Sequence, residues 1–281
     1  MSTDVTNANK GHLGGERRTL WFISPLAALT YPFILMGFHV AIGSTRIPGG
    51  AAGARVIAGV CLLLAFMVPV VGLVSAIQLS KIETPTKAEL WARRIALLAV
   101  GSPAIFTMVG VVFYMVGIGQ ADTWVLGVIW TGLTGLIAFS DRRTPVALPP
   151  KSSRPTLQKT HGMVALGIIV VFLIMHIINH LFGLIGPEAH TTIMKALRHI
   201  YQTPVIEPIL MVGFFSQIIT GSYLGWRYTR GVADGFRTFQ LVSGTYLIFS
   251  FSATAMQFLS SHGASSKLIR IGPLLPGLRL A

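Results

Sequence analysis

Cysteine is almost absent from this chain: Cys61 is the only one in 281 residues. A single cysteine excludes an internal disulfide, a CxxCH covalent haem attachment and a cysteine-ligated iron–sulfur cluster within the chain. Cys61 lies in an apolar stretch and reads as a small buried packing residue. Charge is scarce as well, at 11% of residues, where soluble domains carry about 25%. Acid is scarcest of all, with nine Asp and Glu against 22 Lys and Arg and a net charge of +13. A basic excess can signal nucleic acid, but here the cations fall almost wholly between apolar segments. The positive-inside rule accounts for them there without a nucleic-acid partner.

Apolar side chains dominate instead, at 52% of residues. Stretches of spanning length recur at roughly 20–42, 55–79, 93–117, 122–140, 162–185, 205–227 and 237–260, each near the ~20 residues that cross ~30 Å of hydrocarbon. The expected fold is all-α, a polytopic transmembrane bundle of about seven helices in a lipid bilayer. With seven spans, fifteen cations fall on one side, among them Lys10, Arg17, Arg18, Lys81, Lys87, Arg93, Arg94, Arg142, Arg143 and Arg230, and seven on the other. That bias places the N-terminus in the cytoplasm. The polar first 18 residues lead into an apolar run longer than a secretory signal core, so the first helix reads as an uncleaved signal anchor. A multi-pass protein of a bacterial inner membrane is expected.

Composition divides the chain into a polar N-terminus (1–18), a four-helix half (19–140), a basic Pro-rich linker (141–159), a three-helix half (160–262) and a basic tail (263–281). In the last connection before the sixth span, Ile193, Met194, Leu197, Ile200 and Tyr201 recur at three- and four-residue intervals. That spacing predicts a short amphipathic helix on the outer interface, ended by Pro204. A weak similarity links residues 157–162 and 239–244 at an offset of 82, which pairs His180 with His262. An internal repeat and a chance match between apolar helices are both open readings.

The chemistry-bearing residues concentrate in the fifth span, HGMVALGIIVVFLIMHIINHLFG, which holds His161, His176 and His180 with Asn179 beside the last pair. Ionisable side chains in hydrocarbon are costly and so default to a functional reading. Residues 176 and 180 are four apart and share a helix face. His39, near the outer end of the first span, is expected at similar depth. Neutral imidazole is the standard ligand of haem b, which needs two histidines from different helices. Such sites form between facing helices of a bundle. The candidate cofactor ligands are therefore His176, His39 and His180. The alternative is that each histidine bonds a polar group of a neighbouring helix.

A porphyrin-free metal centre is a further option, since His-x-x-x-His can give two imidazoles to zinc, copper or iron, with Glu207, His190 or His199 as possible additions. Glu207, followed by Pro208, more simply complements the positive end of a helix dipole. Gln217, in mid-span, must find a partner away from lipid. Gly162, Gly167, Gly213 and Gly221 suit close helix approach. His12 and His161 fall at the cytoplasmic side and call for no special role.

Residues 157–256 resemble the membrane-anchor cytochrome b of succinate dehydrogenase and fumarate reductase, the single-chain type that carries haem b. The resemblance rests on the spacing of His161 and His176, the following IINHLFG, the segment with Tyr201, Pro204 and Glu207, and the Gln-x-x-Ser-Gly of Gln240 to Gly244. It implies that His176 ligates the haem nearer the outer face. The family's ligand before Gly in its second helix is replaced here by Gln217, and the expected partner of His176 by Thr254. The resemblance thus implies a diverged member, holding one haem through His176 and a replacement such as His39, or keeping the fold without haem.

Three functions follow as expectations. The first is a b-type-cytochrome-like protein passing electrons between haem and quinone or a membrane redox partner. The second is a non-redox membrane scaffold or assembly subunit. The third is a metal-dependent membrane enzyme using His176 and His180.

Overall fold

The computed structural model describes residues 3–45, 51–119, 121–146 and 155–259, with side chains from residue 18 onward and up to 256. Among these residues nine helices form: α1 (Thr3–Ser44), α2 (Ala51–Ser80), α3 (Lys87–Val100), α4 (Ser102–Met115), α5 (Asp122–Phe139), α6 (Pro155–Gly183), α7 (Pro187–Tyr201), α8 (Ile206–Tyr228) and α9 (Gly235–Leu259). No strand is present among them, and the single isolated bridge joins Thr86 to Pro145. The all-α expectation holds.

Among the described residues, five helices are long and apolar enough to cross a membrane: Arg18–Ser44, Ala52–Ser80, Asp122–Phe139, Pro155–Gly183 and Ile206–Tyr228. The third expected span is instead two helices, α3 and α4, bent by 69° at Gly101, and counting that pair gives six. Pro103 explains the break. It has no N–H to give the Ala99 carbonyl, and its ring crowds that turn; the Ser102 hydroxyl donates to Ala99 O at 2.7 Å in its place. The seventh expected span is helical as α9 but is not in the set apolar enough to cross. Its hydroxyl-rich sequence, with Ser243, Thr245, Ser250, Ser252 and Thr254, dilutes the apolar content.

The chain forms two compact units, residues 1–149 with 225–281, and residues 150–224. α9 belongs to the first unit and packs there on α4, α3 and α2. In that unit α3 is the centre. Thr86 starts it with a capping box: the Glu89 amide donates to the Thr86 hydroxyl at 3.3 Å, and the Thr86 amide donates to Glu89 Oε2 at 2.9 Å. Ile95, Ala96 and Ala99 are fully buried there. α2 approaches so closely that a Cβ on Gly72 would sit 2.9 Å from Val100 N and 3.0 Å from Ala96 O. Only glycine permits that approach.

One end of this unit is tied by backbone bonds between loops. The Ala88 amide donates to Asp141 O, Val146 N to Pro85 O, and Ala233 N to Ser80 O. The Ser80 hydroxyl also donates to Ala233 O at 2.9 Å, and Thr238 Oγ1 donates to Ser80 Oγ at 2.9 Å. Buried polar groups are thereby satisfied where three connections meet.

The second unit holds α6, α7 and most of α8. The expected amphipathic segment is helical as α7. It starts at Pro187 after Gly186, whose φ of 152° is open to glycine alone among common residues. α6 packs on α7 and has no buried residue along its 29.

Candidate functional site: the histidine face of α6

Between Gly162 and Gly183 the only ionisable side chains are His176 and His180. Their spacing stacks them on one face, and the rings meet edge to face with centroids 4.4 Å apart. Phe172, one turn earlier, lies nearly parallel to His176 at 5.2 Å. This π-contact fixes the ring plane without engaging either ring nitrogen. His180 also lies 5.9 Å from the ring of His190, which α7 brings back over the end of α6. His190 Nε2 is bonded to Asn179 Nδ2 at 3.0 Å. With the amide nitrogen donating, that imidazole nitrogen is the acceptor. His190 was only a minor candidate in the sequence, because its approach depends on the turn at Gly186.

The histidines of α6 thus differ in state. His176 and His180 are exposed on the helix surface and have no hydrogen-bond partner among the described residues. His161, read from sequence as needing no role, is a structural tie instead: its Nδ1 pairs with Thr220 Oγ1 at 2.7 Å, and its carbonyl accepts from Gln217 Nε2 at 3.3 Å. Gln217, 8% exposed, has found the partner that its mid-span position demanded. His39 lies exposed on α1 with its ring 6.0 Å from that of Phe38. It belongs to the first unit, whereas His176 and His180 belong to the second.

Thr254, which stands where the resemblance would place a haem ligand, lines a cleft of about 240 Å³ with Ala104, Thr107, Tyr246, Ser250 and Ala253. It donates to Ser250 O at 3.0 Å within its own helix. His262, the repeat partner of His180, lies outside the described residues. Among the described residues no group of three or more His, Cys, Asp or Glu side chains is placed to hold a metal ion, so the metal-enzyme expectation gains no support. Glu207 opens α8 in its first turn, as a dipole-complementing acid would.

Fold and site together define an all-helical protein with several helices able to cross a membrane and a paired-imidazole face on one of them. No family model, curated protein or solved structure matches the chain.

Proposed function

We propose that this protein is a membrane-embedded relative of the b-type cytochromes, similar to the succinate dehydrogenase anchor over 157–256, which passes electrons between haem and quinone or a membrane redox partner. One observation carries the reading: two imidazoles without hydrogen bonds, His176 and His180, on a span with no other ionisable group from 162 to 183. In lipid such groups are retained for function.

The donor chemistry of His176 would suit it to hold haem. His176 has a free ring nitrogen and a plane set by Phe172, while His180 packs against its edge and limits its rotation. Haem, when bound, would supply one-electron chemistry, the protein setting its potential by ligation and burial. Within the second unit the other nearby imidazole, His190, is committed to Asn179. A second histidine to hold haem is the one expected from the sequence, His39.

The test is the absorption spectrum of the full chain purified after expression with ample haem. A Soret band is expected, lost in His176→Ala, reduced in His39→Ala and shifted in His180→Ala. A wild-type protein without the band refutes the proposal. A scaffold reading has its own support, since Gln217 is spent on the His161 carbonyl and Thr254 on its own helix. It expects His176→Ala and His180→Ala to leave both spectrum and stability unchanged.

A further inference from the structure

The first unit buries two adjacent arginines in the middle of α3. Arg93 is 4% exposed and Arg94 is 9% exposed. Arg93 Nη1 donates to the carbonyls of Thr229 and Gly231, just beyond the end of α8. Arg94 Nε donates to Thr229 Oγ1 at 3.1 Å. These bonds account for part of each guanidinium only. Arg93 Nε, Arg93 Nη2 and Arg94 Nη2 are buried with no partner among the described residues. Arg94 lies over the Trp226 ring at 3.5 Å, and Trp91 meets Trp226 edge to face. Arg230, exposed, stands between Thr229 and Gly231, the two residues whose carbonyls accept from Arg93 Nη1.

No carboxylate answers these charges among the described residues. Of the acids at this end, Glu89 is held by the Thr86 amide, Asp141 by the amides of Arg143 and Thr144, and Asp234 by that of Arg237, while Glu83 is exposed. Burying a cation costs several kcal/mol unless a counter-charge and hydrogen bonds offset it. Two such cations side by side add mutual repulsion. The Trp226 ring, 46% exposed, cannot supply an anion; cation–π attraction is about 0.5–2 kcal/mol.

We propose that Arg93, Arg94 and Arg230 form a binding site for a phosphate group, carried by an anionic lipid headgroup or free in solution. Tetrahedral phosphate oxygens match the unused guanidinium N–H donors, and arginine binds phosphate in this bidentate way. Basic sites between spans at a membrane face take anionic headgroups by the same electrostatics.

The test uses the full chain, purified in a neutral detergent and stripped of lipid. Phosphatidylglycerol, phosphatidylcholine or inorganic phosphate is added and thermal unfolding is followed. A lipid-borne phosphate is expected to raise the midpoint with phosphatidylglycerol and not with phosphatidylcholine; a free phosphate site responds to inorganic phosphate as well. Arg94→Gln and Arg230→Gln should weaken the effective ligand about tenfold, the scale of one charge-assisted bond. Arg230→Gln serves even if Arg94→Gln does not fold, because Arg230 is exposed. Equal effects of the two lipids with none from phosphate, or an unchanged response in Arg230→Gln, overturns the proposal.

Discussion

α3 and α6 invert the usual relation between polarity and burial. α3 carries Lys87, Glu89, Arg93 and Arg94, yet 11 of its 14 residues are buried. α6, free of Asp, Glu, Lys and Arg from 162 onward, buries none. In water that pattern would be backwards, since apolar area removed from water drives folding. Against hydrocarbon there is no such gain between helices, and packing and polar bonds decide which helix goes inside. α3 goes inside because its small residues allow close approach, while Arg93 finds carbonyls and Arg94 the Thr229 hydroxyl. α6 can stay uncovered because its surface already matches lipid.

Substitutions at matched positions test this contrast. The largest effect is expected from Ile95→Ala in α3, where a fully buried side chain leaves a cavity worth about 2–5 kcal/mol. Ile174→Ala in α6, whose side chain is 54% exposed, should change stability by less than about 0.5 kcal/mol. Reversible unfolding in mixed micelles measures both, and equal losses would abolish the distinction between the helices. Next is Gly72→Ala, which forces a methyl against the α3 backbone and should cost about 1–3 kcal/mol. Gly167→Ala on α6 meets nothing within 4 Å and should be neutral by the same assay.

A smaller loss is expected from Thr86→Ala, which removes the α3 capping box and should cost about 1 kcal/mol. Hydrogen exchange should report it first in the opening turn of α3. The smallest effect concerns Asp141, whose backbone carbonyl receives the Ala88 amide of α3. The backbone amide of Arg143, then the hydroxyl and amide of Thr144, hold its carboxyl below the usual range. A depressed folded value means a stabilising contribution present above the unfolded pKa and lost as pH falls through the folded one. An acid titration of stability should therefore lose a small component in Asp141→Asn, and identical profiles would refute it.

Much of the architecture was legible in the chain. Long apolar runs gave helices at every expected position, and the three- and four-residue spacing from Ile193 to Tyr201 gave α7. The break at Gly101 was less legible, because SPAIF sits inside a continuous apolar run and Pro is tolerated in membrane helices, as Pro25, Pro32 and Pro69 show. At the site, the pairing of His176 with His180 followed from helical periodicity. The contact of His190 with that pair did not, since it depends on the chain reversing at Gly186. The role of His161 was missed for the same reason: its partners, Thr220 and Gln217, are more than 50 positions away.

The amino-acid sequence alone determined helicity, the membrane-like composition and which histidines share a face, because these depend on local periodicity and transfer from water. Tertiary structure alone decided that α9 joins the first unit and that a pair of arginines occupies its core. It also decided which imidazoles are hydrogen-bonded and which are free. Those outcomes depend on close approach between distant segments and on polar groups finding partners, neither of which is encoded in the order of residues along a single helix.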